Sequence, residues 1–302
     1  MRALRAHERG GPERLVFEEA PDPVPGRGEV LVAVRAAAIT FAELTWDLSW
    51  QTVDGVDRTP VVPSHEFSGV VDALGPGVAD VAVGDEVYGL VPFDRDGAAA
   101  GFVAVPVTAL ARRPRSVSHV EAAALPLAGL TAWQALVDHA GVRSGQRVLV
   151  LGGAGGVGSL GVQLATRLGA HVTATARPAD VDFVRGLGAA EVAGLAEVAG
   201  EYDVVLDAIG GPALDRAFAL RPGKLVTLTA PPSAELLASG VDAVFFVVTP
   251  DQARLAELAA VVDDGGLRPI VSATYPLAEG RAAFESGGTA GRRPGKVVLV
   301  VD

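Results

Sequence analysis

The chain has 302 residues, of which 49% are hydrophobic and 20% are charged, and its formal net charge at pH 7 is −11. This length predicts about two domains, and the negative charge disfavours nucleic-acid partners because phosphate binding needs clustered Lys and Arg. The absence of cysteine excludes disulfides, Cys-ligated zinc and a thiol nucleophile.

The first 20 residues interleave charged and apolar side chains, which is not the pattern of a signal peptide. The uncharged run between Arg147 and Arg167 contains six glycines, so a buried strand, turn and helix explain it better than a membrane span. We therefore predict a cytoplasmic protein without membrane association.

The first third of the chain predicts short strands separated by turns, at Val30–Ile39, Glu66–Leu74, Glu86–Val91 and Phe102–Val105. After Ser118 a helical pattern over Val120–Ala140, broken at Pro126, introduces strands that alternate with helical segments. These strands are predicted at Arg147–Leu151, His171–Ala176, Val204–Asp207, Lys224–Leu228 and Ala243–Val248. Such alternation predicts an α/β fold with a doubly wound parallel sheet. The tail returns to the texture of the first region, with a strand, a short helix and a strand at Pro269–Ser272, Leu277–Ser286 and Lys296–Val301.

A G-x-G-x-x-G pattern of Gly153, Gly155 and Gly158 lies between the apolar strand at 147–151 and a helical segment. In this context it predicts a dinucleotide site, with Gly153 in the tight turn, Gly155 at the pyrophosphate and Gly158 where helix and strand pack. A turn that serves packing alone is the alternative. The predicted cofactor-binding residues here are Gly153, Ala154, Gly155, Gly156, Val157 and Gly158.

The second strand of the sheet ends in Arg177, where an NAD site would place an acid for the ribose hydroxyls. A guanidinium suits a 2′-phosphate, so we predict NADPH, with the Thr175 hydroxyl as a neighbouring donor. The alternative for Arg177 is a solvated loop arginine. Further cofactor contacts are predicted after the next strands, at Ala208, Gly210, Thr229 and Phe246. Asp207 lies among them but equally suits a turn or a helix cap.

Several motifs occur in an order that resembles the zinc-free quinone oxidoreductase branch of the medium-chain dehydrogenase/reductase superfamily. They are Ser64-His65-Glu66, Val83-Gly84-Asp85-Glu86-Val87-Tyr88-Gly89, Ala123 to Trp133, Ala154 to Gly158, and Gly295-Lys296-Val297-Val298-Leu299. The resemblance implies a GroES-like catalytic domain over residues 1–118 and 268–302, with a Rossmann NADPH-binding domain over 119–267. It also implies a cleft that holds NADPH and a homodimer formed by edge pairing of the Rossmann sheets.

The positions that bind catalytic zinc in related alcohol dehydrogenases correspond to Thr40, His65 and Leu127, so the resemblance implies no metal here. Without a Lewis acid, hydride transfer to a quinone or an α,β-unsaturated carbonyl is the expected reaction, because its negative charge delocalises. The candidate catalytic residues are Thr40, Thr131 and Tyr88, each of which also suits ordinary packing. A zinc-free alcohol or ketone reductase and an NADPH-binding module with vestigial catalysis are the alternatives.

Overall fold

The computed structural model describes residues 1–52, 54–288, 291 and 293–302. The strands are β1 (Arg2–Ala6), β2 (Leu15–Glu19), β3 (Glu29–Ile39), β4 (Glu66–Leu74), β5 (Glu86–Leu90), β6 (Phe102–Pro106), β7 (Leu110–Arg112), β8 (Arg147–Leu151), β9 (His171–Thr175), β10 (Glu191–Ala193), β11 (Val204–Asp207), β12 (Lys224–Thr227), β13 (Ala243–Phe245), β14 (Val271–Pro276) and β15 (Lys296–Val300). The helices are α1 (Asp47–Trp50), α2 (His119–Ala123), α3 (Pro126–Trp133), α4 (Gly156–Arg167), α5 (Val181–Arg185), α6 (Pro212–Ala219), α7 (Ala234–Leu237), α8 (Gln252–Asp263) and α9 (Gly280–Glu285). Among the residues described, no helix is both long and apolar enough to span a membrane.

The chain forms two compact units. The first contains Met1–Leu127, Thr249–Gly265 and Pro269–Asp302, and the second contains Ala128–Val248 and Gly266–Arg268. These bounds differ from the predicted domains at α2 and α8, which belong to the first unit. The reason is packing: α2 lies against β3 and β4, and α8 lies against β7.

The first unit is built on a long mixed sheet in the order β14-β15-β3-β4-β5-β7, and β6 also pairs with β3. Apolar residues alternate along β3, so that Val30, Val32 and Val34 are buried in one core with Phe67 and Leu299. The last strand is therefore part of the first sheet, since Val297 pairs with Ile39 in an antiparallel ladder. This agrees with the β-rich first domain and the returning tail that the sequence predicts.

The second unit is a parallel sheet in the order β10-β9-β8-β11-β12-β13. Numbered within this unit, the order is 3-2-1-4-5-6, which is the doubly wound Rossmann order. The predicted fold class is thus confirmed. Its chain order reverses between β8 and β11, and ligands bind at the carboxyl ends of strands beside such a reversal.

The predicted strands at 66–74, 147–151 and 204–207 have the bounds that the structure shows, and most others differ by one residue. Two predictions are less accurate: β13 ends at Phe245 rather than Val248, and the strand predicted from Pro269 begins at Val271. The pattern over Val120–Ala140 forms α2 and α3, followed by a π-helical turn at Gln134–His139.

The side chain of Tyr88 is buried in the first unit, and its hydroxyl donates to the Leu255 carbonyl of α8 at 2.5 Å. We expect Tyr88→Phe to lower the free energy of unfolding by about 1 kcal/mol, because it removes a buried hydrogen bond between β5 and α8. The half-buried Tyr275 offers a control, and Tyr275→Phe should change stability by less than about 0.5 kcal/mol in the same urea titration. Equal changes in the two variants would contradict this role of Tyr88.

Candidate active site

The turn between β8 and α4 is held against the neighbouring strand by two hydrogen bonds. The Gly153 N–H donates to the Thr175 carbonyl at 2.9 Å, and the Gly152 N–H donates to the Thr175 hydroxyl oxygen at 2.9 Å. Thr175 therefore orients the turn through both its backbone and its side chain. The Thr175 hydroxyl accepts in this bond and keeps its own proton, so its role as a donor beside the cofactor stays a prediction.

The structure divides the roles of the glycines differently from the sequence prediction. Gly152, with φ +87°, takes the left-handed conformation of the tight turn, so the turn role predicted for Gly153 belongs to its neighbour. A Cβ on Gly158 would lie 2.0 Å from the Gly152 carbonyl oxygen, which supports its predicted role in close packing. A Cβ on Gly155 would meet only that oxygen, at 3.3 Å.

The N-terminus of α4 presents backbone donors at the end of β8. The first of its described helical bonds runs from the Ser159 N–H to the Gly155 carbonyl at 2.9 Å, so the N–H groups of Gly156, Val157 and Gly158 precede the ladder. Residues 154–157 are half-buried and carry only small or short side chains. Backbone donors at a helix N-terminus, with space where a Cβ is missing, fit the pyrophosphate of a dinucleotide.

Arg177 follows β9 and pairs with a buried acid. Its Nε donates to Asp180 Oδ2 at 2.7 Å and its Nη2 lies 2.7 Å from the same oxygen. The Arg177 side chain is 53% exposed, whereas the Asp180 side chain is 8% exposed. The pair fixes the plane of the guanidinium while half of the side chain stays accessible.

The strand ends after β11 and β12 form a second rim of the same sheet. Asp207 Oδ1 accepts from the Ile209 and Gly210 N–H groups, both at 3.0 Å, and Oδ2 accepts from Thr227 Oγ1 at 3.0 Å. Asp207 is completely buried and so has the turn role that the sequence left open. Gly210 has φ +75°, and a Cβ there would lie 2.0 Å from the exposed Thr229 hydroxyl.

Two other candidates of the second unit differ in their surroundings. Phe246 is half-buried beyond β13, and its ring centroid lies 4.4 Å from that of His139. Thr131 lies in α3 with 6% exposure, and its hydroxyl oxygen has no hydrogen-bond partner among the described residues. An unpaired buried hydroxyl carries a free-energy cost, which a hydrogen bond to a bound ligand would relieve.

In the first unit, the catalytic candidate Thr40 contacts a buried network of charged side chains. The Lys296 ammonium donates to Thr40 Oγ1 at 3.0 Å and forms an ion pair with Glu66 Oε1. The other carboxylate oxygen of Glu66 accepts from the Leu127 N–H at 3.0 Å. Burial raises the pKa of the Glu66 carboxyl, and the Lys296 ammonium opposes that increase. The sequence identified Lys296 only as part of a motif and assigned it no function.

A second buried acid lies near this network. Glu43 Oε2 accepts from the Ser64 N–H at 3.1 Å and lies 3.1 Å from His65 Nδ1. His65 Nε2 and Glu43 Oε1 have no partner among the described residues. The His65 ring also packs against Phe93 at a centroid distance of 5.0 Å. His65 is thus a buried, hydrogen-bonded histidine of the first unit.

The residues at the three zinc positions do not make a zinc site. The Thr40 hydroxyl accepts from an ammonium, Leu127 offers no donor side chain, and His65 is a single imidazole. A catalytic zinc ion takes three protein ligands, so this donor set does not fit it. The part of the chain that the structure describes has no group of three or more His, Asp or Glu residues that could hold a metal ion.

Tyr88 is a poor candidate for a proton donor. Its hydroxyl proton is used in the bond to Leu255, and burial raises the pKa of the phenol above its ordinary value. The catalytic role predicted for Tyr88 is therefore withdrawn.

The side chain of Trp50 is buried too, and its N–H donates to the Leu44 carbonyl at 2.9 Å, which makes it a core residue.

Comparison with known proteins gives matches along most of the chain. Residues 26–115 match a family model described as the alcohol dehydrogenase GroES-like domain, and residues 168–299 match one described as zinc-binding dehydrogenase. A chloroplastic quinone-oxidoreductase homolog of Spinacia oleracea is 31% identical over 324 residues, which cover 96% of this chain and 95% of that protein. The polyketide synthases GfsB of Streptomyces halstedii and NorB of Streptomyces orinoci are 36% and 37% identical. The alignments cover 91% and 97% of this chain but only 5% and 14% of those proteins.

Two solved structures share the fold over nearly their full length. The quinone oxidoreductase from Coxiella burnetii superposes with a TM-score of 0.91 at 28% identity, covering 100% of this chain and 99% of that one. The CurK enoyl reductase superposes with a TM-score of 0.85 at 25% identity, again covering 100% of this chain and 99% of the other.

The two helix-proximal glycines allow packing and ligand binding to be separated. We expect Gly158→Ala to lower the unfolding free energy of the ligand-free protein by about 1–3 kcal/mol, because the added methyl group forces the backbone apart. Gly155→Ala should cost less than about 1 kcal/mol without ligand. It should nevertheless weaken dinucleotide binding by about 10-fold or more, because the methyl group occupies the approach to the pyrophosphate. Urea titration and calorimetric binding measure the two effects, and a Gly155→Ala protein with unchanged affinity would refute the assignment.

Proposed function

Because the chain belongs to the quinone oxidoreductase-like branch of the medium-chain dehydrogenase/reductase superfamily, we propose that it is an NADPH-dependent reductase of conjugated acceptors. The proposed substrates are quinones and α,β-unsaturated carbonyl compounds, including enoyl thioesters. The observation that carries the proposal is the character of the site residues: an ammonium-supported hydroxyl, Thr40, occupies one of the three positions where a zinc enzyme has metal ligands, and Leu127 at another offers no ligand atom. The similarity to an enoyl reductase and to quinone oxidoreductases supports the same reaction class.

The proposed cofactor site uses the second unit alone. The N–H groups at the start of α4 bind the pyrophosphate, and Ala154, Ala208 and Gly210 leave space along the carboxyl edge of the sheet. Thr229 and Phe246 border that edge. When bound, the reduced nicotinamide supplies a hydride to the electron-poor carbon of the acceptor.

Thr131 is proposed as a hydrogen-bond donor to the acceptor oxygen. Hydride addition to a conjugated acceptor develops negative charge on that oxygen, and a preorganised hydroxyl stabilises it. A neutral hydroxyl is a weak substitute for zinc at a localised alkoxide, which is why simple ketones are the less suitable substrates. The absence of other partners for Thr131 Oγ1 among the described residues supports this role.

We also propose a homodimer in which β13, an edge strand of the Rossmann sheet, pairs with its copy, because unpaired edge N–H and C=O groups favour strand addition.

Location in the cytoplasm remains a prediction from the sequence. Since the chain matches small parts of two polyketide synthases, the proposed acceptors include a thioester carried on a larger assembly as well as a free compound.

NADPH preference should depend on Arg177. We expect Arg177→Ala to raise the dissociation constant for NADPH by about 10- to 100-fold and that for NADH by less than about 3-fold, because only NADPH has the 2′-phosphate. Arg185 is a matched control, since it is 58% exposed and pairs with Asp182 at the same i,i+3 spacing. Arg185→Ala should leave both constants unchanged. Equal losses for the two cofactors in Arg177→Ala would contradict the assignment.

The reaction class is tested with a panel of 1,4-quinones, 2-alkenals, enoyl thioesters and simple ketones, following NADPH oxidation. We expect turnover of the conjugated acceptors. Thr131→Val should lower kcat by about 10- to 1,000-fold with little change in NADPH affinity, and Thr131→Ser should restore most of it. Turnover of ketones alone would favour the alcohol or ketone reductase, whereas NADPH binding without turnover would favour the binding module.

A further inference from the structure

The chain contains two lysines, Lys224 and Lys296, among its 25 basic residues. Lys224 lies near the surface, with its Nζ 2.9 Å from Asp242 and the side chain 25% exposed. The Lys296 side chain is 10% exposed and lies at the start of β15. Burial of a lysine is unusual and costs free energy unless the ammonium is paired, so the surroundings of Lys296 need a reason.

Two partners account for the ammonium. Glu66, 1% exposed, balances its charge, and the Thr40 hydroxyl oxygen accepts one of its protons at 3.0 Å. Neutralising Glu66 requires only the ion pair. The additional bond to the half-buried Thr40 therefore has a consequence of its own, which concerns the direction of the Thr40 hydroxyl proton.

A hydroxyl oxygen that accepts a proton from an ammonium cannot direct its own O–H toward that ammonium. Lys296 offers donors only, so the Thr40 hydrogen must point to another acceptor. Donation by a cation also polarises the O–H bond and strengthens the hydrogen bond that it donates. Thr40 is thus a hydroxyl whose donor direction and strength are set by Lys296.

On this basis, and resting on the proposed function, we propose that Lys296 is a positioning residue that makes the Thr40 hydroxyl an oxyanion donor for the conjugated acceptor. The negative oxygen that develops during hydride transfer accepts from the Thr40 O–H, while Glu66 holds the ammonium behind it. No proton leaves Lys296 in this step. The site therefore selects ligands with a delocalised oxyanion over their neutral counterparts.

Binding of a stable oxyanion tests the proposal without turnover. The probe is the anion of 2-hydroxy-1,4-naphthoquinone, with neutral 1,4-naphthoquinone as its comparison, titrated in the presence of NADP⁺. We expect Lys296→Met and Thr40→Val each to weaken anion binding by about 10- to 100-fold and neutral binding by less than about 3-fold. Lys296→Arg should restore part of the loss, because it keeps the charge but not the compact ammonium geometry. Lys224→Met is the control and should change neither affinity.

The lysine signals give a second readout. In protein labelled with ¹⁵N-lysine, the Lys224→Met variant assigns the two side-chain signals, and the anion should shift that of Lys296 in the wild type but not in Thr40→Val. If Lys296→Met is unstable because Glu66 is left buried, the double variant Lys296→Met/Glu66→Gln removes both charges, and Thr40→Val keeps the ion pair intact. Equal loss of anion and neutral binding, or no loss of either, overturns the proposal.

The two hypotheses fail in different ways. Selective anion binding that depends on Lys296, in a protein that reduces none of the acceptors, supports this inference and contradicts the proposed function. Reduction of the acceptors with kcat unchanged in Lys296→Met and Thr40→Val supports the proposed function and contradicts the inference. A fall in kcat with nearly constant KM, partly recovered by Lys296→Arg, supports both.

Discussion

The ion pair between Glu66 and Lys296 couples the charge balance of the first unit to the topology of its sheet. A carboxylate with 1% exposure is tolerated only because an ammonium and a backbone N–H satisfy it. The ammonium comes from β15 at the end of the chain, so the charge balance of β4 is complete only after the last strand has paired with β3. The register that pairs Val297 with Ile39 places Lys296 beside Thr40. The register of β15 against β3 therefore determines both the position of the last strand in the sheet and the partner of the Thr40 hydroxyl.

The second unit depends on close approach rather than on charge. The turn after β8 brings the Gly152 carbonyl against the start of α4, and only a residue without a Cβ fits at Gly158. The same closeness leaves the first N–H groups of α4 without partners in the helix, which makes them available to a phosphate. Packing and anion binding thus rely on two neighbouring missing side chains: a Cβ on Gly158 would clash with the turn after β8, whereas Gly155 leaves space at the start of α4.

Much of this architecture follows from local pattern. The strand bounds at 147–151 and the glycine spacing behind them are sufficient to predict the Rossmann unit, because each signal lies within a few residues. The network of Thr40 could not be predicted in this way. Lys296 is 256 residues from Thr40 in the chain, and neither local sequence pattern indicates that the two side chains are in contact. The sequence also does not predict which glycine takes the left-handed conformation, since Gly152 and Gly153 are adjacent and either one suits the turn.

The choice of lysine at position 296 is informative because the chain otherwise uses arginine for nearly all of its basic residues. A guanidinium is planar and directs its donors as a fork, which suits one carboxylate in a bidentate contact. An ammonium is compact and directs three donors tetrahedrally, so it can serve a carboxylate on β4 and a hydroxyl just after β3 at once. One positive charge, already balanced by Glu66, cannot act as a divalent metal does on a localised alkoxide. In the proposed mechanism it orients the Thr40 hydroxyl toward a delocalised negative charge, and this difference in strength connects the non-ligating residues at the zinc positions to the proposed class of acceptor.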